Sequence, residues 1–158
     1  MAEASRTGTL YSIGLGPGDP ELVTVKAARL LGRLQHVFAP KADARATSIA
    51  LGIARQYLAP GARVEEIVYP MTRDREKLAQ CWQSSAAPLA ERLKSAEDVG
   101  FITLGDPSLY STSSYLLRAL RRALPELGFC LVPAVTSYSA CAARTAFVLG
   151  EGSSVLTI

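Results

Sequence analysis

The sequence has few of the features that mark several common classes of protein. Its three cysteines (Cys81, Cys130 and Cys141) are odd in number and show no CxxC spacing, so neither a disulfide framework nor a metal site is indicated. No apolar run reaches the roughly 20 residues that span a bilayer. The first nine residues are too polar and too short for a signal peptide. We therefore expect reduced, mostly buried cysteines, no membrane segment and a cytoplasmic location.

A strong excess of either charge is also missing. The 158 residues carry 17 cationic and 14 anionic side chains, a net charge of +3 that is too small for a dedicated nucleic-acid-binding protein. Most of the cations are arginines, which suit a carboxylate-rich small ligand. The single histidine, His36, lies at the start of a predicted strand, and we expect it to be structural. Apolar residues make up 49% of the chain and charged residues 20%, as in a soluble globular domain.

Apolar runs rich in branched residues alternate with stretches of helical period, a pattern typical of βα units. We predict a doubly wound α/β domain with a mostly parallel five-stranded sheet. The predicted strands are 9–14, 36–39, 63–68, 99–104 and 129–132.

Helices are predicted between the strands. The first has apolar residues at i, i+3, i+4 and i+7, and another has three leucines on one face. A long helix over 73–95 is expected to be kinked or divided at Pro88, and a further helix is expected over 137–146. The apolar positions are Ala27, Leu30, Leu31 and Leu34 in the first helix, and Leu117, Leu120 and Leu124 in the other.

The end of the chain predicts a further element. Residues 154–158 have the composition of a strand, but no partner for it follows in the sequence. We expect residues 1–150 to form one α/β domain and residues 151–158 to be a linker with the first strand of a second α/β domain that is missing here. The chain is thus interpreted as the first half of a longer protein.

The tripeptide Gly-Asp-Pro follows two of the predicted strands, at 18–20 and at 105–107. Glycine permits a positive φ and a close approach to a ligand, aspartate caps the next helix or turn, and proline suits a first helical position. In an open α/β sheet, ligands bind where loops leave the carboxyl ends of strands. Two such turns side by side would form the walls of one pocket, whereas either alone could be a capped junction without a ligand.

A dinucleotide fingerprint is not favoured at the first turn. The spacing G-x-G-x-x-G requires a glycine where Asp19 lies, and its carboxylate would repel a pyrophosphate. The acidic residue expected after the second strand is absent, since the sequence there runs from Val37 to Lys41. A ligand that is neutral or positive at the contact fits this loop better.

Three stretches resemble the signatures of the tetrapyrrole methylases, a family that uses S-adenosylmethionine as methyl donor. They are GLGPGDPELVTVKA (14–27), GDPSLY (105–110) and PAVTS (133–137), in the order and spacing of that family. The likeness implies a two-domain α/β fold with the donor held between the domains, and a homodimer at full length. The family's glycine in the third signature is Ala134 here. If that position needs a positive φ, alanine would strain the turn by roughly 1 kcal/mol or more.

Further stretches resemble one branch of the family, the precorrin-2 C-20 methyltransferases of cobalamin biosynthesis. They are EEIVYPMTRD (65–74), LGDPSLYSTSSYL (104–116) and VTSYSACAAR (135–144). The resemblance implies methylation of precorrin-2 at carbon 20 to give precorrin-3A. The resemblance leaves open whether the substrate carries cobalt. Relatives that act on rRNA ribose or on diphthamide share the first signature but lack the VYPMT and GDPSLYST stretches.

Site residues follow from this resemblance. Those implied to contact the donor lie in the loops after three strands: Pro17, Leu104, Gly105, Asp106, Leu109, Ser111, Thr112, Thr136 and Ser137. A proton must leave the methylated carbon, and Asp19 and Tyr110 are the candidate catalytic residues, with a cap and a pocket wall as their plainer alternatives.

The tetrapyrrole carries several carboxylates, so cations are expected at the rim of its site. The candidates for substrate binding are Gly16, Gly18, Lys41, Arg45 and Arg73, with Arg75 beside them. Solvated surface cations are the plainer interpretation. Tyr69 and Trp82 could line the ring pocket, although we expect core packing for both.

Three other functions stay open from the sequence. A half-domain that only binds a tetrapyrrole or a partner would not consume the donor. A dinucleotide oxidoreductase is disfavoured by the glycine spacing, and an RNA methyltransferase would need a basic strip that the sequence does not show.

Overall fold

A computed structural model of the chain describes residues 7–70, 72 and 74–158. Five strands form one sheet in the order β3-β2-β4-β1-β5, and every neighbouring pair is parallel. Their bounds are Thr9–Gly14 (β1), His36–Lys41 (β2), Arg63–Val68 (β3), Val99–Thr103 (β4) and Gly128–Val132 (β5). The predicted fold class is confirmed, and each predicted strand lies within two residues of an observed one.

Helices cover both faces of the sheet. They are Val25–Leu31 (α1), Ile49–Ala54 (α2), Arg75–Lys94 (α3), Ser113–Ala123 (α4) and Ser137–Arg144 (α5), with short 3-10 turns at Pro20–Leu22 and Arg55–Tyr57. Leu30 and Leu31 of α1 and Ile53 of α2 pack with Ile13 and Ile102 on one face of the sheet. On the other face, the buried side chains of α3 and α4 pack against strand residues including Leu10, Phe38 and Phe101. The sheet is therefore the middle of three layers.

Helix ends depart from the periodicity in small, explicable ways. Helix α1 ends at Leu31 because Gly32 caps it, although Leu34 stays buried just beyond the helix. Helix α3 is undivided, so Pro88 does not split it, and Asp74 caps its start by accepting from the amides of Glu76 and Lys77. Helix α5 ends at Arg144, two residues before the predicted end, and Ala146 beyond it has a φ of 53°.

The expected strand at the end of the chain is not formed. Residues 154–158 have no helix or strand, and their side chains are exposed, with Val155 at 90%. A strand needs a neighbour to accept its backbone hydrogen bonds, and within the described residues no strand pairs with this segment. The assignment of residues 151–158 to a second domain stays a prediction.

The cysteines are less buried than expected. Cys81 and Cys130 are half-buried and Cys141 is exposed. The Sγ of Cys81 donates to the carbonyl of Val68 at 3.0 Å. His36 has a structural setting, since its Nε2 lies 3.0 Å from Oε2 of Glu97 at the amino end of β2. No helix in the described part of the chain is long and apolar enough to cross a membrane.

Candidate functional site

The two Gly-Asp-Pro turns lie next to each other, at the carboxyl ends of the neighbouring strands β1 and β4. We call residues 15–24 the β1 loop, residues 104–112 the β4 loop and residues 133–136 the β5 loop. The β1 loop leads to α1 on one face of the sheet, whereas the β4 loop leads to α4 on the other. Neighbouring strands whose connections leave to opposite faces open a crevice between the loops, the topological switch point at which such sheets bind ligands.

Main-chain hydrogen bonds join the β1 loop directly to the β4 loop. The amide of Gly105 donates to the carbonyl of Gly16 at 2.7 Å, and the amide of Gly16 donates back to Gly105 at 3.4 Å. Both residues have positive φ, 79° at Gly16 and 71° at Gly105, which glycine adopts without strain. The predicted juxtaposition of the two turns is confirmed.

Gly14 lies where all three loops converge. A Cβ at this position would lie 2.7 Å from each of three atoms, the Cβ of Ala134, the carbonyl oxygen of Gly105 and Cδ of Pro107. Separations below about 3 Å are not found for real Cβ atoms. The last residue of β1 is therefore glycine because the β4 and β5 loops pass directly over it.

Asp106 links the β4 loop to the β5 loop. Its Oδ1 accepts from the amide of Ser108 at 2.8 Å and also from the Ser108 hydroxyl, and its Oδ2 accepts from the amide of Ala134 at 2.8 Å. The side chain is 8% exposed. Burial alone would raise the pKa of Asp106, but the hydrogen bonds from Ser108 and Ala134 outweigh burial and hold the pKa below its ordinary value. The carboxylate is thus ionised and satisfied by protein donors.

Asp19 has a different setting in the first turn. It is exposed and caps the short turn Pro20–Leu22, where its Oδ1 accepts from the amide of Glu21 at 2.9 Å. The plainer alternative for Asp19, a cap that shapes the loop, is observed. Asp19 also lines a cleft, so its capping role does not prevent a role in chemistry.

That cleft lies between the β1 loop and helix α5, with a volume of about 670 Å³, within the usual range for small-molecule sites. Among the predicted site residues it brings together Pro17, Asp19 and Ser137. Thr136 caps α5 beside the cleft through Oγ1, which accepts from the amide of Ser139. We call this space the α5 cleft.

Residues of the β4 loop do not line the α5 cleft; they adjoin it through the links described above. Leu104 is 43% exposed, and Leu109 and Thr112 are half-buried. Ser111 is buried, and its hydroxyl lies 3.2 Å from that of Thr103. Tyr110 is 95% exposed with a φ of 48°, so its ring packs on nothing and is free to meet a ligand.

The predicted rim cations differ in their surroundings. The Nζ of Lys41, at the end of β2, lies 3.6 Å from Glu66 and is therefore already paired. Arg45 and Arg75 are exposed, and Arg73 lies outside the described residues. Gly18, with a φ of 138°, borders a second space of about 570 Å³ that Thr47 and Glu66 also line.

Three further expectations concern single residues. Ala134 does not have a positive φ, so the strain considered for it does not arise. Tyr69 is in the core, edge-to-face with Phe101 at 6.2 Å between ring centres, and burial raises its pKa to about 12. Trp82 stacks on Tyr115 at 4.0 Å between α3 and α4, on the face opposite α1. Core packing is observed for Tyr69, whereas Trp82 is half-buried and lines a space of about 710 Å³ between α3 and α4.

The sequence did not single out the wall of the α5 cleft. Ala140 and Arg144 line it together with Ser137. These residues are at i, i+3 and i+7 of one helix and therefore share a face. This spacing is the sequence signal that could have identified the cleft wall. Arg144 adds a cation to the cleft that the sequence did not predict.

The fold and this geometry define a class: an α/β domain with joined loops and a cleft at the switch point of a doubly wound sheet, the place where such sheets bind small ligands. The family described as Tetrapyrrole (Corrin/Porphyrin) Methylases matches residues 9–158. The chain belongs to that family.

Individual relatives agree with this assignment. The chain is 42% identical to a cobalt-precorrin-2 C(20)-methyltransferase of Salmonella typhimurium, over 87% of this chain and 56% of that protein. It is 36% identical to a probable cobalt-precorrin-2 C(20)-methyltransferase of Methanocaldococcus jannaschii, over 94% of this chain and 62% of that protein. The chain thus spans little more than half the length of these relatives.

A solved structure shows the same fold. A cobalamin synthesis related protein (CobF) from Corynebacterium diphtheriae superimposes with a TM-score of 0.74 at 22% identity, over 94% of this chain and 62% of that one.

Proposed function

We propose that the protein is the first half of an S-adenosylmethionine-dependent methyltransferase that methylates carbon 20 of precorrin-2 in cobalamin biosynthesis. The observation that carries the proposal is the pair of Gly-Asp-Pro loops hydrogen-bonded to each other at the switch point, on a chain that is similar to two C(20)-methyltransferases.

The residues present fit the proposed methyl donor. S-adenosylmethionine supplies a methyl group activated by a positive sulfur, and main-chain carbonyl groups suit such a cation. In the β4 loop, Gly105 is half-buried and a Cβ there would meet nothing within 4 Å, so a ligand could approach its backbone, whereas Gly16 is buried. We assign donor contacts to Pro17, the β4 loop from Leu104 to Thr112, and Thr136 with Ser137. The α5 cleft is large enough for part of a donor of this size.

Positioning is the main work of these residues. Methyl transfer is an in-line displacement, for which fixed alignment of the two reactants supplies roughly 7 to 11 kcal/mol. The main-chain hydrogen bonds between the β1 and β4 loops hold the residues proposed to contact the donor in one geometry.

The methylated carbon must then lose a proton. Asp19 is exposed on the cleft and Tyr110 is exposed on the β4 loop, so both could reach a substrate. We propose Asp19 as the acceptor of that proton, directly or through a water, and Tyr110 as a wall of the substrate site.

The carboxylates of the tetrapyrrole are proposed to meet the main chain at Gly16 and Gly18 and the exposed Arg45. Arg73 stays a candidate from the sequence alone. Lys41 would have to leave Glu66 to join them. The named relatives act on cobalt-precorrin-2, which has the same carbon 20, so the two forms of the substrate are compared directly in the test.

The rest of the site is proposed to come from a second α/β domain that residues 151–158 lead into, and the whole protein to be a cytoplasmic homodimer. The chain's match to little more than half of its relatives supports this proposal.

The test is incubation of the protein, alone and continued by a second domain, with isotopically labelled S-adenosylmethionine and either precorrin-2 or cobalt-precorrin-2. We expect the two-domain form to add one labelled methyl group at carbon 20, read by mass spectrometry and NMR. Pigment binding without methyl transfer would leave only the half-domain binding function, and methylation at another carbon would refute the assignment.

A further inference from the structure

Asp106 is a predicted donor-contacting residue whose carboxylate is already bound by groups of the protein itself. Its two oxygens accept three hydrogen bonds from Ser108 and Ala134. The residue is 8% exposed, so little of the carboxylate is open to a ligand. An ionised, buried carboxylate that already accepts three hydrogen bonds has little acceptor capacity left for a further ligand.

The link spans two strands that are not neighbours. The β4 and β5 strands lie on either side of β1, about 10 Å apart at ordinary strand spacing. A contact between their loops must therefore pass over the end of β1, and Gly14 leaves room for it. Hydrogen bonds to an ionised acceptor are also stronger than neutral ones. The Asp106 carboxylate is thus the polar connection between the β4 loop and the loop that enters α5.

We propose that Asp106 is a positioning residue of the methyltransferase: its carboxylate fixes the β5 loop, and through it Thr136 and Ser137, against the β4 loop, while the ligand meets main-chain atoms of Gly105 and Asp106. This inference rests on the proposed function. It assigns the side chain of Asp106 to the geometry of the site, and not to the chemistry or to direct contact with the donor.

The consequence for function is specific. Without the hydrogen bond from Ala134 to Asp106, Thr136 and Ser137 are no longer held against the β4 loop, so the affinity for the donor falls. A saturating donor concentration brings the loops back together, and the bound donor then has the same alignment as in the parent protein. KM for the donor should therefore rise while kcat at saturating donor changes little.

The variants Asp106→Asn and Ser108→Ala test this. The matched control is Asp98→Asn, because Oδ1 of Asp98 accepts from the amide of Thr9 at 2.8 Å at the amino edge of the sheet, away from the site. The asparagine keeps the volume but presents an N–H to one of the donors that the carboxylate now accepts from. Ser108→Ala removes only the hydroxyl donor and keeps the fold if the asparagine variant fails to express. Each is compared with the unaltered protein, continued by its second domain, for donor KM, kcat and hydrogen exchange of the Ala134 amide without ligand.

For Asp106→Asn we expect roughly a tenfold or greater rise in donor KM, kcat within about twofold, and faster exchange at Ala134, with a smaller change in the same direction for Ser108→Ala. An unchanged donor KM, or a loss of kcat at saturating donor with unchanged exchange at Ala134, would overturn the proposal. If every variant and the parent lack methyl transfer, the proposed function fails, and the exchange data with calorimetric binding of S-adenosylhomocysteine decide the positioning role separately.

Discussion

The two Gly-Asp-Pro turns share three residues and one hydrogen bond from the aspartate to the following backbone, yet their aspartates do different things. In each turn Oδ1 accepts from the amide two residues on, Glu21 at 2.9 Å in the first and Ser108 at 2.8 Å in the second. Asp19 stays exposed. Asp106 is buried, and its second oxygen reaches the amide of Ala134 across the end of β1.

The difference shows that the tripeptide specifies a turn and the position in the sheet specifies the role. The β1 loop leaves toward α1, so Asp19 looks outward over the α5 cleft. The β4 loop must cross beside β1, where Gly14 leaves space and the β5 amide needs an acceptor. A carboxylate over the cleft is available for chemistry, whereas one that is buried and tied holds the loops in place.

The largest loss of stability in this comparison is expected for a substitution of Gly14, the glycine beneath the second turn. Gly14→Ala should destabilise the protein by about 3 kcal/mol, because its methyl group would meet two backbone-anchored groups and a carbonyl at 2.7 Å. Gly18→Ala in the first turn is the control. A Cβ there meets nothing within 4 Å, so only its φ of 138° costs energy, about 1 kcal/mol. Urea unfolding measures both, and equal losses would contradict the convergence of loops at Gly14.

Removal of each carboxylate comes next. Asp106→Ala should cost about 2 to 3 kcal/mol, because the amides of Ser108 and Ala134 lose their acceptor in a buried setting. Asp19→Ala should cost about 1 kcal/mol, as for an exposed helix cap. Denaturant midpoints of the two variants report the difference. A larger loss at Asp19 than at Asp106 would reverse our interpretation of the turns.

Low pH should reduce the difference in unfolding free energy between the parent protein and the Asp106→Asn variant. The pKa of Asp106 is lower in the folded protein than its ordinary value of 3.8, so ionisation stabilises the fold above that value. We expect the difference in unfolding free energy to be constant near neutral pH and to shrink as the pH falls below 3.8 through the lower folded pKa. A difference that grows in acid would contradict the ionised state of the link.

The smallest effect is expected for Asp19→Asn. Asparagine caps a turn about as well as aspartate and keeps an oxygen for the amide of Glu21, so the change should stay below about 0.5 kcal/mol. The same variant should lower methyl transfer if Asp19 accepts the proton. Thermal unfolding measures the effect on stability, and turnover of the same preparation measures the effect on methyl transfer. Unchanged turnover would show that Asp19 does not accept the proton.

Much of the fold could be predicted because its signals are local. The strands β1 and β3 match the predicted bounds, although β1 is mostly buried and β3 is a largely exposed edge strand that contains Glu65 and Glu66. The adjacency of the two turns follows from the order of strands in such sheets. The link from Asp106 to Ala134 could not be predicted, because it joins residues 28 apart through a backbone amide that no residue type reveals. The cleft wall at Ala140 and Arg144 depends likewise on how α5 lies against the β1 loop.

The most direct test of the account is the hydrogen-exchange footprint of S-adenosylhomocysteine on the protein. We predict slower exchange in the β4 loop, in the β5 loop and at the start of α5, with little change at the amino edge of the sheet near His36 and Glu97. Protection confined to that amino edge, or none at a concentration that saturates binding, would contradict the placement of the donor at the two joined turns.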